Sequence, residues 1–399
     1  IFSRGERSLL FDTEGGRYID FFCGAGVLNY GHNHPSLKRA LIEYVSRDGI
    51  AHSLDLYTEA KLRFLEQFRA KVLTPRALKY KVQFTGPTGA NAVEAALKLA
   101  RKVTGRSPIV AFTNAFHGVS LGALAATASS SKRAAAGVQL DQIIRLPFEG
   151  FLGGGNDIDY VEKMLTMAGS GVDAPAAILL ETVQAEGGLN AASTPFIERI
   201  FAVAKQIGAL VIVDEIQTGC GRTGPFFSFE RFPVIPDMVC VSKSISGMGL
   251  PMALLLIKPE YDQWKPGEHN GTFRGNNLAF VTGAAALDFW DDPSFHAQLQ
   301  SNIERLEARL DELCERFACV VRKGRGMLAG LDLQDGAAGA LVKTEAFKRG
   351  VMLETCGASG SVLKLAPALN IESELLDEGL DVIESALECV LRQPAHMTV

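Results

Sequence analysis

The sequence predicts an α/β fold, with a mostly parallel, doubly wound sheet in a large domain and a smaller α+β domain beside it. Its 399 residues suit two domains, and 47% of them are hydrophobic, enough for a large buried core. Short β-rich runs alternate with helical runs through the middle of the chain, the order that produces parallel sheets. Most of these runs are apolar throughout, which is typical of strands covered on both faces.

Seven runs in the middle of the chain have the composition of strands. They cover residues 81–85, 108–114, 143–148, 175–181, 210–215, 238–243 and 252–258. Helices are predicted over residues 91–104 and 195–206. In the first of them, Val93, Leu97 and Ala100 fall on one face at the period of an α-helix, which predicts a buried stripe.

The two flanks of the chain have a different pattern. A pair of short strands is expected within residues 9–22, around a turn at Gly15 and Gly16. The C-terminal flank predicts a charged helix, three strands and a second helix, over residues 295–317, 319–322, 327–333, 362–366 and 372–391. We expect both flanks to form one small domain, with the large domain inserted between them. The predicted small domain comprises residues 1–45 and 295–399, and the predicted large domain comprises residues 46–294.

Composition argues against several classes of function. The chain has 40 Lys+Arg against 45 Asp+Glu, so it lacks the basic excess expected for a nucleic-acid or anionic-membrane partner. No apolar stretch approaches the roughly 18 residues of a membrane span. The seven cysteines form no Cys-x-x-Cys pair, which favours free thiols in a reducing compartment over disulfides or zinc. Residues 1–5 have no signal-peptide pattern, and we expect a cytoplasmic protein without a metal site.

Three charged side chains stand at the carboxyl ends of apolar strands, namely Glu181, Asp214 and Lys243. Ligands of open α/β sheets bind outside the carboxyl ends of the strands, so a site is expected there. A lysine at a strand end often extends its ammonium to solvent. If Lys243 is partly desolvated instead, its pKa falls below the usual value of about 10.4, and its free amine can form an imine with a carbonyl group.

Neighbouring residues also allow two interpretations each. The carboxylate of Asp214 either caps a turn or keeps a pyridine nitrogen protonated, which makes the ring a better electron sink. The loop of residues 86–91 is either a plain strand-to-helix turn or a phosphate site at a helix N-terminus, where Gly89 would let a phosphate approach the backbone. Phe116 is either a core residue or a stacking partner for a flat ring.

These features together favour one ligand. An imine-forming lysine, a carboxylate for a ring nitrogen, a phosphate loop and a stacking aromatic at one sheet edge are what pyridoxal 5′-phosphate (PLP) requires. His117 by itself is a weak metal-ligand or base candidate, because no second ligand lies at a suitable spacing in the sequence.

Longer motifs then identify a family. Residues 211–224, VIVDEIQTGCGRTG, are a near-complete match to the signature of the class III (ω-type) aminotransferases of fold-type I. Pro236-Asp237, followed by a strand and then Ser242-Lys243, is similar to their lysine site. The resemblance covers essentially the whole chain, and further matching segments are residues 181–188 and 271–277. Residues 81–91, 112–118 and 268–280 are similar to a narrower group, the diaminobutyrate–2-oxoglutarate aminotransferases of ectoine and siderophore pathways.

The resemblance implies roles at the cofactor. Lys243 would hold PLP covalently and move the proton during catalysis, and Asp214 would pair with the ring nitrogen. Gln217 would approach the ring hydroxyl, while Ile216 and Phe116 would lie on the two faces of the ring. The predicted cofactor-binding residues are Thr88, Gly89, Ala90, Phe116, His117, Glu181, Asp214, Ile216, Gln217, Lys243 and Thr272.

The resemblance also implies partners and a substrate site. Thr272 would reach the phosphate bound to the partner subunit, so a homodimer or tetramer is expected. Glu186 would lie near the substrate, where relatives use it as a gate that pairs with a cation. Many relatives have an arginine where this chain has Lys364. A guanidinium can bind a carboxylate through two parallel hydrogen bonds, whereas the lysine ammonium is a point charge. We expect a Lys364–Glu186 pair at the substrate carboxylate; the alternative is a surface ion pair of Lys364.

The implied activity is transfer of an amino group between L-glutamate and aspartate 4-semialdehyde, giving 2-oxoglutarate and L-2,4-diaminobutyrate with ping-pong kinetics. One alternative keeps the reaction and changes the amine to ornithine, acetylornithine or 4-aminobutyrate. A second changes the reaction to that of an aminomutase or a decarboxylase. A third is a cofactor-free interaction protein, which the presence of Lys243 and Asp214 argues against.

Overall fold

The computed structural model describes residues 1–391 and contains four sheets among them. The strands are β1 (Phe2–Glu6), β2 (Leu9–Asp12), β3 (Arg17–Asp20), β4 (Lys81–Gly86), β5 (Ile109–Phe112), β6 (Ile143–Leu146), β7 (Ala177–Leu180), β8 (Val183–Gln184), β9 (Asn190–Ala191), β10 (Leu210–Asp214), β11 (Met238–Val241), β12 (Ala253–Ile257), β13 (Val321–Arg325), β14 (Leu328–Asp332), β15 (Val351–Met352), β16 (Glu354–Cys356) and β17 (Val362–Leu365). The helices are α1 (Cys23–Gly26), α2 (Pro35–Ser46), α3 (Glu59–Phe68), α4 (Gly89–Thr104), α5 (Leu121–Ala126), α6 (Ser130–Arg133), α7 (Asp157–Thr166), α8 (Thr194–Ile207), α9 (Asn277–Ala286), α10 (Pro293–Arg316), α11 (Gly336–Lys348) and α12 (Ser373–Leu391).

A seven-stranded sheet forms the centre of the molecule, in the order β4-β12-β11-β10-β7-β5-β6. β12 runs antiparallel to both of its neighbours, whereas the remaining strands are parallel to one another. The inner strands of this sheet are buried along their whole length, as their apolar sequences predict. The carboxyl ends of β7, β10 and β11 therefore come together at one edge of the sheet.

Helix α4 packs on this sheet through the predicted stripe. Val93, Leu97 and Ala100 are all buried, as expected from their spacing. The helix begins after Thr88, whose backbone N–H donates to the side-chain oxygen of Asn91. It ends at Gly105, which adopts a left-handed conformation at φ 70°. The positive end of the helix thus lies at the sheet edge where β4 ends.

The two flanks of the chain meet in the sheet β1-β2-β3-β15. In it, β3 pairs in parallel with β15, with Ile19 opposite Val351. A further sheet, β13-β14-β17-β16, is built entirely from the C-terminal flank. This arrangement is compatible with a small domain made from both flanks, but its limits at residues 45 and 295 stay predictions. Residues 392–399 of that predicted domain lie outside the described residues.

The predicted elements of the large sheet are present, with shorter strands than expected. Glu181, Glu215 and Lys243 each fall just beyond a strand rather than inside it, because the chain turns at the sheet edge. The strand predicted over residues 362–366 is β17, which covers Val362–Leu365. The strand predicted to begin at residue 319 is β13, which begins two residues later. Across residues 1–391, no helix is both long and apolar enough to cross a bilayer.

Candidate active site

A cavity of about 150 Å³ opens at the carboxyl edge of the central sheet. It is lined by Gly89, Ala90, Phe116, His117, Gly118, Glu181, Asp214, Ile216, Gln217, Thr218 and Lys243. Nine of the predicted cofactor residues are among them, although they come from five separate stretches of the chain. Thr88 is next to this lining at the start of α4 and is exposed. Thr272, also exposed, is not part of the lining.

Lys243 begins a short 3-10 turn immediately after β11, with a backbone φ of 53°. A positive φ is uncommon for a residue with a side chain, and such strain concentrates at functional sites. The ammonium donates to the carbonyl oxygen of Ala25 at 2.9 Å. Burial lowers the pKa of Lys243 to about 8, although the nearby carboxylate of Glu186 acts in the opposite direction. Near neutral pH this lysine therefore has an appreciable fraction of free amine.

The carbonyl of Ala25 belongs to a turn that the sequence analysis missed. Consecutive residues Cys23, Gly24, Ala25 and Gly26 all have positive φ, from 46° to 81°. Ala25 also accepts a hydrogen bond from the side-chain amide of Gln217 at 2.7 Å. One backbone oxygen therefore orients two predicted cofactor residues. The Gly-Ala-Gly run was a turn signal in the sequence, but nothing in it indicated where the turn would dock.

That turn is fixed by a buried aspartate. Asp20 accepts hydrogen bonds from the backbone N–H groups of Phe22 and Cys23 at 2.8 and 2.9 Å. Its other carboxylate oxygen lies 2.7 Å from the imidazole Nε2 of His32. Because one oxygen binds the turn and the other contacts His32, the carboxylate holds this strained backbone in place.

Asp214 ends β10 with both carboxylate oxygens in use. One accepts from the backbone N–H of Ile216 at 3.0 Å, and the other lies 2.8 Å from Nδ1 of His117. The His117 side chain is fully buried, and its Nε2 has no hydrogen-bond partner among residues 1–391. In the sequence, His117 is a weak candidate because no second ligand lies at a suitable spacing. The fold brings the Asp214 carboxylate to His117, although the two residues are far apart in the sequence.

Glu181 lies beyond the end of β7 and accepts a hydrogen bond from the backbone N–H of Phe116 at 3.1 Å. Burial, followed by the negative charge of Asp214, raises the pKa of Glu181 well above its usual range. These effects favour the neutral carboxyl form. Asp214 and Lys243 line the same cavity beside this carboxyl group.

Gly89 lies at the first turn of α4, where the helix dipole favours an anion. A Cβ at this position would be 2.9 Å from the side chain of Ile216, closer than real Cβ atoms approach. A side chain at residue 89 would therefore close the gap between the helix N-terminus and the cavity. Gly118, on the opposite wall, is constrained in the same way, since its Cβ would be 2.8 Å from that of Ala90.

Lys364 lies on β17 and forms the expected pair with Glu186, with 2.6 Å between Nζ and Oε1. The side chain of Lys364 is only 1% exposed, so the alternative of a surface ion pair is wrong. Burial alone would raise the pKa of Glu186, but the charges of Lys364 and Lys243 bring it below its usual value. Glu186 therefore stays ionised beside the Lys364 ammonium and close to Lys243.

A match to one protein family covers nearly the whole chain. The family described as Aminotransferase class-III matches residues 1–387. The chain belongs to the class III aminotransferases.

Curated relatives of about half-identical sequence have the name of one aminotransferase of this family. The chain is 49% identical over 392 residues to a diaminobutyrate–2-oxoglutarate transaminase of Nocardia farcinica, with 98% of this chain and 90% of the relative covered. The corresponding enzyme of Vibrio cholerae is 50% identical, with 97% and 95% covered.

Solved structures show the same fold. The ornithine aminotransferase of Toxoplasma gondii has a TM-score of 0.85 at 24% identity, over 99% of this chain and 91% of that one. N-acetylornithine aminotransferase from Stenotrophomonas maltophilia has a TM-score of 0.79 at 27% identity, over 99% and 97%. This class III aminotransferase therefore has the fold-type I architecture that its sequence predicts.

PLP is the cofactor of this family, and the residues around the cavity fit it. Lys243 offers an amine for the aldehyde, and Asp214 offers a carboxylate for the ring nitrogen. Gly89 leaves the N-terminus of α4 open to a phosphate. The described residues contain no cluster of His, Cys, Asp or Glu that could hold a metal ion.

Proposed function

We propose that this class III aminotransferase exchanges an amino group between L-glutamate and the terminal position of L-2,4-diaminobutyrate, through 2-oxoglutarate and aspartate 4-semialdehyde. The observation that carries the chemistry is the buried amine of Lys243, with its pKa lowered to about 8, in one cavity with Asp214. The substrate assignment is supported by relatives about half identical over nearly the full chain, which are diaminobutyrate–2-oxoglutarate transaminases.

The mechanism assigns each group a task at a stated atom. Bound PLP supplies the electron sink that no amino-acid side chain provides. Nζ of Lys243 would hold the cofactor covalently, and its free amine would take and return the proton at the reacting carbon of the substrate. Asp214 would pair with the ring nitrogen and favour its protonated form, and Nδ1 of His117 holds that carboxylate in orientation. The bond from Gln217 to Ala25 aims the Gln217 side chain along the cavity wall.

Lys364 is the proposed anchor for the substrate carboxylate. An amine donor such as diaminobutyrate presents its terminal amine to the cofactor, and the Glu186–Lys364 pair stays closed. Glutamate reacts at its α-amino group, and its α-carboxylate replaces Glu186 at the Lys364 ammonium. Because both partners of Lys364 in this exchange are carboxylates, the buried lysine keeps a counter-charge in each half-reaction.

We further propose a homodimer in which Thr272 contacts the phosphate of the neighbouring subunit. Thr272 is exposed and lies outside the cavity of its own chain, and His52 donates to its carbonyl oxygen at 2.7 Å. Large apolar side chains around it are exposed, with Phe273 at 69%, Leu56 at 65% and Tyr57 at 99%. Large exposed apolar side chains in neighbouring segments are typical of a subunit interface.

A cytoplasmic location is also proposed. It is supported by the thiols: all seven cysteines are free, and four of them are buried. Free thiols of this number are typical of a reducing compartment.

The experiment that tests the proposed reaction is a panel of amine donors with 2-oxoglutarate as acceptor. Diaminobutyrate, ornithine, acetylornithine and 4-aminobutyrate are compared by kcat/KM, with glutamate release as the readout. We expect diaminobutyrate to give the highest value. A higher value for another amine would replace the substrate, whereas amine consumption without glutamate release would indicate an aminomutase or decarboxylase.

A second experiment tests the site of attachment. Borohydride reduction of the holoenzyme, followed by peptide mapping, should label the peptide that contains Lys243. Lys258 provides the matched control, because it follows β12 at the opposite edge of the sheet and pairs with Asp237 at 2.7 Å. A label on any other lysine would overturn the assignment of Lys243.

A further inference from the structure

Lys364 has two carboxylate partners among residues 1–391, and the second is not explained by the proposed reaction. Glu186 lies 2.6 Å from the ammonium, and Glu354 lies 3.7 Å from it. Lys364 is 1% exposed, whereas the side chain of Glu354 is 44% exposed. The buried ammonium therefore has one close partner and one more distant partner that is half exposed.

The sheet sets this arrangement. Lys364 on β17 is directly opposite Glu354 on β16, so their side chains point to the same face. On its other side Lys364 is opposite Gly330 of β14, which has no side chain. A Cβ at Gly330 would lie 2.9 Å from the side chain of Leu189, so no acidic group can be placed there. The backbone register thus gives Lys364 one fixed acidic neighbour within the sheet, and Glu186 pairs with it from outside the sheet.

A buried ammonium without a counter-charge is costly. When a substrate carboxylate replaces Glu186, Lys364 would pass through a moment without its closest partner. Glu354 removes that difficulty, because it neighbours the ammonium before, during and after the exchange. We propose that Glu354 is a positioning residue that keeps Lys364 paired while Glu186 gives way to the substrate, and so makes this exchange fast. The inference rests on the proposed role of Lys364 as the carboxylate anchor.

This role has a kinetic signature. Glu354 contacts Lys364 equally in the starting and final states, so its effect on the equilibrium affinity for a dicarboxylate should nearly cancel. Its loss should slow the exchange instead. Simple electrostatic steering has the opposite sign, since removal of an acid near the site speeds the approach of a dianion. The direction of the rate change therefore separates the two effects.

The test is stopped-flow binding of glutarate to the holoenzyme, followed through the cofactor absorbance. Glutarate is a dicarboxylate without an amine or keto group, and butyrate is the monocarboxylate control. In Glu354→Gln we expect the association rate constant for glutarate to fall about two- to fivefold, with Kd within about twofold of wild type. Butyrate binding should not change. Glu345→Gln, which removes an acid paired with Lys348 on α11, is the charge control.

Each outcome decides the proposal. An unchanged or faster association of glutarate with Glu354→Gln would overturn it, as would an equal slowing in Glu345→Gln. Lys364→Gln should weaken glutarate binding and abolish the effect of Glu354→Gln in the double variant. If Lys364→Gln binds glutarate as tightly as wild type, the carboxylate anchor itself is wrong and the inference falls with it. If Lys364→Gln weakens glutarate binding but Glu354→Gln does not slow association, the role of Glu354 is wrong and the proposed function is unaffected.

Discussion

At the scale of single residues, Lys243 depends most on its surroundings. Only the free amine attacks the aldehyde of PLP, and burial lowers the pKa of this lysine to about 8. The protonated form dominates below that pH and the reactive form above it. We predict that the rate of covalent PLP attachment to the apoprotein rises with pH and levels off above about 8. Absorbance of the attached cofactor measures this rate. A rate still climbing tenfold per pH unit at pH 9 would contradict the lowered pKa.

Glu181 gives a second prediction for a single residue, because its pKa is raised by burial and by the charge of Asp214. A carboxyl group whose pKa is higher in the folded than in the unfolded chain, where it is about 4.3, costs stability as the pH rises above that value. Glu181→Gln removes this cost and still accepts from the N–H of Phe116. We therefore predict that the variant gains stability relative to wild type between pH 5 and pH 8.

The measurement for Glu181 is urea unfolding of both proteins at several pH values. Glu181→Ala is the matched control, because it removes the same charge and also leaves the Phe116 N–H without its acceptor. It should be less stable than Glu181→Gln by about 1–3 kcal/mol at every pH. If wild type gains relative to Glu181→Gln as the pH rises, then Glu181 is ionised in the folded protein and its pKa is not raised.

Residue types at strand ends were predictable from the sequence, but their partners were not. Lys243, Asp214 and Glu181 stand out because each is a charged residue after an apolar run. The carboxyl ends of parallel strands meet at one edge of the sheet, so these residues were expected to lie close together. The contacts of His117 with Asp214 and of Ala25 with Lys243 join segments far apart in sequence. Such pairs depend on how elements dock, which no local pattern contains.

At the scale of elements, too, local patterns predicted the strands and helices but not how they are arranged. The strands of the central sheet and helices α4 and α8 follow from apolar runs and helical periodicity, and each is present near its expected bounds. The antiparallel direction of β12 was not predictable, because a buried strand is equally apolar in either direction. The turn at α1 was missed too, because no local pattern shows that the Asp20 carboxylate accepts from the backbone N–H groups at its start.

That turn supports a prediction about an element. Gly26 has a φ of 81°, and a Cβ there would contact the Gln217 side chain at 3.7 Å. Gly105 has a φ of 70° at the end of α4, with nothing within 4 Å of its Cβ position. Alanine at either site should cost about 1 kcal/mol, because a side chain disfavours this backbone conformation. We predict that Gly26→Ala also lowers kcat several-fold, whereas Gly105→Ala does not.

Steady-state kinetics and urea unfolding of both glycine variants check this expectation. The two substitutions are matched in backbone conformation, so any difference in kcat reports on the contact of the turn with Gln217 and Lys243. Equal kcat values at equal loss of stability would mean that the turn at α1 has no part in placing the catalytic groups.

At the scale of the whole molecule, Arg222 connects the parts that form the site. Its guanidinium is fully buried and donates to the side-chain oxygen of Asn29 and to the carbonyls of Met327 and Pro367. It thereby ties the segment after the α1 turn to the C-terminal sheet that carries Lys364. Each of its bonds crosses between segments, so this side chain helps to hold the cavity residues of the central sheet in register with the substrate residue of the flank.

The largest prediction concerns two copies of the chain. If Thr272 serves the partner's site, a hybrid dimer of Lys243→Ala and Thr272→Ala subunits has one intact site. That site combines Lys243 of the Thr272→Ala subunit with Thr272 of the Lys243→Ala subunit. Each variant alone should be impaired, because Lys243→Ala loses its general base and Thr272→Ala a phosphate contact. We predict that the purified hybrid, made with two affinity tags, recovers about half of the wild-type activity per dimer. If Thr272 acted within its own chain, the hybrid would contain no complete site, and its activity would not exceed that of Thr272→Ala.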